Sequence, residues 1–179
     1  MPVVVGAPRW YHCKKKEENM KSFFTLIAAI LISFIPGAIG VLFTPITGHT
    51  DAWYNGLVNS SLTPPPMVFS VAWTILYTLL GVALFFIWRA KGREARQGVT
   101  AAEWLFFFQM VLNALWSYVF FGLHMPALAL FIMFGLILVS VYMAMEFRTV
   151  SRAAYYMVWP YVAWLVFAFY LNGVIACMN

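Results

Sequence analysis

The sequence predicts an all-α, polytopic membrane protein built as a bundle of five transmembrane helices. Three observations carry this. Of 179 residues, 64% are hydrophobic and 9% charged, against roughly 25% charge in an ordinary soluble domain. The apolar residues gather into five runs, 23–43, 66–88, 104–123, 126–145 and 154–177, each able to cross a hydrocarbon core of about 30 Å at about 1.5 Å per residue. All eleven Lys and Arg residues then fall on one side of the membrane. By the positive-inside rule the N-terminus is cytoplasmic in a bacterial cell membrane, with Asn179 on the outer face.

Residues 1–20 are polar and aperiodic and read as an irregular tail; residues 21–179 form the membrane domain. Run 23–43 is too long for a signal-peptide core and no small-x-small cleavage site follows it, so it reads as a retained helix. Pro36, Gly37 and Gly40 in its outer half permit a bend and serve equally well for close helix packing. The connection 44–65 is long, and Trp53-Tyr54 inside it suggests a lid folded over the bundle; interfacial anchoring by the same pair is compatible with that. Pro64-Pro65-Pro66 ends the loop and puts a proline in the first turn of the second helix, where its missing N–H is harmless.

The loop 89–103 is basic, and the short link near His124 makes the third and fourth helices antiparallel neighbours. Flanks of the Leu-Asn pairs at 112–113 and 171–172 do not match, which argues against a transporter built from an inverted repeat.

Charge placement excludes several functions. All six carboxylates, Glu17, Glu18, Asp51, Glu94, Glu103 and Glu146, lie in tails, loops or helix ends, whereas ion-driven pumps need an ionisable group at depth. The net charge of +5 is an orientation signal; no basic surface interleaved with stacking aromatics points to nucleic acid. Lys14-Lys15-Lys16 beside Trp10 and Tyr11 is suited to anionic lipid. Neither His12, His49 nor His124 shares metal-site spacing with another, and no metal is expected. Cys13 and Cys177 fall on opposite sides of the membrane, so no intrachain disulfide is expected. Phosphate loops, nucleophile elbows and paired catalytic carboxylates are absent.

What remains is aromatic and amide groups at helical spacing. Tyr161, Trp164, Ala168 and Asn172 share one face of the fifth helix, and an unpaired amide in hydrocarbon costs on the order of several kcal/mol, so this stripe faces protein or ligand. Gln109, Asn113, Trp116 and Phe120 form a second such face on the third helix, lining a cavity or bonding helix to helix. Trp73 lies about 10 Å from the outer edge and Trp164 about 13 Å from the inner, both too deep for an interfacial belt. Trp73, Trp164, Asn113 and Tyr54 are the candidate ligand contacts.

These residues together resemble the TspO/MBR family, the tryptophan-rich sensory and translocator proteins related to the peripheral benzodiazepine receptor. The resemblance rests on Trp53-Tyr54, Pro64-Pro65, Trp73 with Leu76-Tyr77 and Gly81, Leu112-Asn113 with Trp116, Phe120-Phe121-Gly122, and Pro160-Tyr161-x-x-Trp164 with Phe167-Ala168 and Leu171-Asn172. It implies a five-helix bundle, commonly a homodimer, with a pocket beneath the first loop lined by Trp73, Asn113, Trp164, Ala168 and Leu171 and bordered by Gly37 and Val41. Implied ligands are porphyrins and haem precursors, sterols in mitochondrial members, and benzodiazepine-type drugs. No cofactor is obligatory. No His or Cys within the runs is placed to ligate haem iron, so a tetrapyrrole is held by shape and stacking. Some bacterial members resemble light-dependent porphyrin degraders, which makes photo-oxidation at the same site the alternative to receptor or lipid transport.

Two departures stand out. Ser60-Ser61-Leu62-Thr63-Pro64-Pro65 replaces the family's Pro-x-Trp-x-Pro-Pro, so one loop tryptophan is missing. The Tyr-then-Arg sterol tail of animal members is also absent, and Val139…Tyr142…Arg148 matches only a pattern loose enough to arise by chance.

Overall fold

Five helical spans long and apolar enough to cross a membrane make up an integral membrane protein, described here for residues 9–43, 52–91 and 97–179 of a computed structural model. The first span is α1 (Arg9–Ser33) continued by α2 (Ile35–Phe43). Phe34 is a turn between them, where its N–H reaches Leu31 O at 3.2 Å. Pro36, with no N–H to donate, accounts for the break, as the sequence leads one to expect.

The helix begins earlier than expected. Residues from Arg9 onward, read as an irregular tail up to residue 20, are helical. Lys and Glu are strong helix formers, and Lys21 Nζ donates to Glu17 Oε1 at 2.6 Å across one turn, so the apolar helix propagates backward into its polar flank. The loop expected over 89–103 shrinks for a similar reason. Span α4 (Pro66–Lys91) runs on past the apolar residues, and α5 (Gln97–Ser117) starts before them.

The long first connection contains a helical turn, α3 (Ala52–Gly56). His49 and residues 44–51 lie outside the described residues, as do 1–8 and 92–96.

At its other end α5 widens into a π-helical turn, Tyr118–Gly122, in which Leu123 N donates to Tyr118 O at 3.0 Å. His124 follows with a positive φ of 56°. Helix α6 (Pro126–Val150) then starts on a proline at its first turn. Ser151 alone separates it from α7 (Arg152–Met178), and the serine Oγ accepts from Ala154 N at 3.4 Å as the cap of α7.

Helix α6 packs between α5 and α7, α4 packs on α7, and α1 crosses α4 while α2 rests on α5. The α1–α4 crossing depends on Gly81, because a Cβ there stands 2.5 Å from Ile30 Cα. The larger buried core includes Leu80, Leu84, Phe106, Leu136, Met143 and Leu165. A smaller cluster near α3 is rich in aromatics, with Phe120 and its neighbours Trp53, Tyr54 and Trp116.

Candidate functional site

Helix α4 carries aromatic residues at Phe69, Trp73 and Tyr77, a spacing of four that puts all three on one face. That face meets α7. The Phe69 ring stands edge-on to Trp164 at 5.9 Å and Trp73 edge-on to Tyr161 at 6.3 Å, while Trp73 also stacks on Tyr77 at 5.3 Å. Both deep tryptophans therefore flank the α4–α7 seam. Phe69 was not among the sequence candidates, although its four-residue phase with Trp73 was readable.

Behind this seam lies a closed polar network. Tyr77 OH donates to Asn113 Oδ1 at 3.1 Å, Asn113 Nδ2 to Tyr161 OH at 2.8 Å, and Tyr161 OH to Gln109 Oε1 at 2.8 Å. Three helices are joined by it, and all four side chains are buried. Gln109 and Asn113 thus form interhelical hydrogen bonds, one of the two readings of their helical face. Asn113 has both ends of its amide engaged within the protein.

A second linkage lies nearer the π-helical turn. Trp116 Nε1 donates to Asn172 Oδ1 at 3.0 Å, and Asn172 Nδ2 donates to Pro126 O at 2.8 Å. The α7 stripe is thus mostly satisfied by protein.

Trp164 is the exception. Its Nε1 is shielded from solvent and meets no acceptor, the single buried side-chain nitrogen or oxygen in this condition among the described residues. A buried N–H left unmade costs about 1–3 kcal/mol, so an acceptor brought to it is favoured. Next to it along α7, Ala168 and Leu171 are each 7% exposed.

Gly37 faces the same cluster. A Cβ on it stands 2.8 Å from Tyr77 Cε2, so its lack of a side chain admits the tyrosine ring against α2, which is the packing reading of this glycine. Val41, one turn on, is exposed.

The first connection is fastened over this end of the bundle. Trp53 stacks on His124 at 4.2 Å and Tyr54 packs against Phe120 and Phe121 at 6.4 and 5.9 Å. Burial pushes the Tyr54 phenol above its ordinary pKa, so it stays a neutral donor at physiological pH. Val58 exchanges hydrogen bonds with the Asn179 side chain, at 2.9 and 3.3 Å. Ser60, which stands in the altered loop motif, pairs its Oγ with Tyr170 OH at 3.1 Å.

Among the described residues no three His, Cys, Asp or Glu side chains converge as a metal site, and Cys177 is an exposed free thiol.

Comparison with known proteins agrees with this architecture. The chain is 34% identical over 155 residues to the tryptophan-rich protein TspO of Archaeoglobus fulgidus, covering 86% of this chain and 96% of that one. Against the tryptophan-rich protein TspO of Chlorobaculum tepidum it is 35% identical over 164 residues, with 89% and 98% covered. The translocator protein of Ovis aries is 30% identical over 147 residues, with 82% and 86% covered. The profile of the TspO/MBR family matches residues 28–178, from within the first span to the end of the fifth and including the fastened loop, and the chain belongs to the TspO/MBR family.

Proposed function

We propose that this membrane protein is a receptor or translocator for a flat apolar ring system, a porphyrin-type tetrapyrrole, taken up beneath the first loop. Trp73 and Trp164 supply the stacking faces, and Ala168 and Leu171 the small apolar wall beside them. Tyr54 adds a neutral donor from the loop, and Gly37 and Val41 border the entrance. In this reading Asn113 acts through Tyr77 and Tyr161, holding the ring on which Trp73 stacks.

The observation that carries the reading is the unpartnered Nε1 of Trp164. A porphyrin offers aromatic faces for indole stacking and carboxylate oxygens at its edge for such a donor. Its binding needs no metal ligand from the protein. The N-terminus is taken as cytoplasmic, in a bacterial cell membrane, because the Lys and Arg residues gather at one end of the spans; assembly as a homodimer follows the family.

Titration of the purified protein with protoporphyrin, haem and cholesterol, read from the Soret band or by sterol exchange, tests this. Trp73→Ala is expected to weaken protoporphyrin binding by about three- to tenfold, on the scale of one aromatic contact, and Trp164→Ala by more than Trp164→Phe, since it removes a stacking face as well as the Nε1 donor. Unchanged titrations in both variants, or saturable binding of cholesterol alone, contradict the proposal.

A further inference from the structure

The polar start of the first span has a second feature, unconnected with the α4–α7 seam. A shallow concavity of about 410 Å³ is lined by Lys15, Lys16, Asn19, Met20 and Phe23 of α1. The spacing i, i+1, i+4, i+5, i+8 gathers these five residues on one helix face.

The charges of this segment are sorted by face. Glu17 and Lys21 lie on the opposite side and neutralise each other at 2.6 Å, while Glu18 lies in helical phase between that pair and Lys15 without bonding to either lysine of the concavity. No carboxylate among the described residues pairs with Lys15 or Lys16, and both are exposed. The concavity therefore has two unneutralised ammonium groups and an amide at one end. Its other end is apolar, with Met20 48% and Phe23 58% exposed.

Position along the membrane normal selects the occupant. Phe23 opens the apolar run, and Lys15 lies eight residues before it, about 12 Å along the helix. The headgroup layer flanking the hydrocarbon is about 5–8 Å thick on each side, a distance flexible lysine stems span readily. A soluble anion would leave Met20 and Phe23 facing water or bare lipid. A molecule with a phosphate at one end and an acyl chain at the other matches both ends at once.

We propose that this face of α1 is a binding site for an anionic phospholipid. Its phosphate lies between Lys15 and Lys16, with Asn19 donating to a headgroup oxygen and an acyl chain running past Met20 and Phe23 into the bilayer. The site fixes α1 to the leaflet where the basic residues gather and is independent of what occupies the tryptophan seam.

The test uses the full chain in nanodiscs of mixed phosphatidylglycerol and phosphatidylcholine, with retained lipid read by native mass spectrometry after detergent extraction. Lys15→Gln/Lys16→Gln is the test variant, and Lys21→Gln removes a lysine from the opposite face. Glutamine keeps helix propensity, and an unchanged melting temperature verifies folding. Wild type is expected to retain phosphatidylglycerol over phosphatidylcholine, and that preference should fall about fivefold for each lysine removed from the concavity. Lys21→Gln should keep most of it. The proposal is overturned if wild type shows no preference or if Lys21→Gln loses as much per lysine as the double variant. Displacement of the lipid by equimolar inorganic phosphate overturns it too, since it marks a site for a free anion.

Discussion

Tyr161 and Trp164 lie one turn apart on the same stripe of α7, and their polar atoms have opposite fates. The Tyr161 hydroxyl donates to Gln109 and accepts from Asn113, which in turn accepts from Tyr77. The Trp164 indole nitrogen, equally hidden from solvent, meets no acceptor. A polar group at membrane depth that is fully paired inside the protein holds helices together; one that is left unpaired has a bond to offer a guest. Sequence spacing alone treats the two residues alike, and the proposed site rests on the difference between them: a paired frame beside an unpaired donor.

The contrast stands on the helix crossing that holds the frame, so the largest effect is expected at Gly81. Its missing side chain admits the Ile30 backbone, and a valine there collides with main chain that cannot rotate away. Gly81→Val should cost about 3 kcal/mol or more, lowering the melting temperature in detergent and the yield of folded protein. A wild-type melting curve would show that α1 and α4 are not packed as described.

Tyr161→Phe bears on the paired member. It strips two buried hydrogen bonds and leaves the Gln109 oxygen and an Asn113 N–H unmatched, at a cost of about 1–3 kcal/mol in thermal melting. Membrane-protein cycles average nearer 0.6 kcal/mol per bond, which sets the lower bound. If ligand affinity falls and stability does not, Tyr161 belongs to the binding surface and the contrast with Trp164 fails.

A smaller effect is expected at the fastening. Asn179→Ala removes the exchange with Val58 at an exposed position, so stability should change by no more than about 0.5 kcal/mol. Loop opening should quicken, read as faster hydrogen exchange at the Val58 amide and faster ligand release. Unaltered exchange at that amide would show that the loop is held elsewhere, through Trp53 and Tyr54 or Ser60.

Much of this frame is legible in the sequence. Run length and the one-sided basic residues specify five spans, Pro36 marks the break in the first, and the i, i+4 phases of Gln109–Asn113 and Trp164–Ala168 name two of the inward faces. Two aspects escaped. Helix ends follow side-chain pairing and propensity as well as hydropathy, which is why α1 reaches back to Arg9 and α5 starts at Gln97. Which buried amide finds a partner depends on residues far apart in the chain: Asn113 meets Tyr161, 48 positions away, and no local pattern encodes that distance. Asn113 has a helical face that fits either a ligand contact or an interhelical bond, and only the folded chain shows its amide engaged on both sides by tyrosines.

The contrast itself is tested by Trp164→Phe, which keeps an aromatic ring at the stripe and deletes only the unpartnered N–H. Protoporphyrin affinity and melting temperature should be measured on the same sample. The prediction is affinity lowered by about ten- to hundredfold, the scale of a hydrogen bond to a charged acceptor, with a melting temperature at or above that of wild type because no internal bond is lost. Unchanged affinity, or a loss of stability like that of Tyr161→Phe, would contradict the assignment of Trp164 as the donor held open for a ligand.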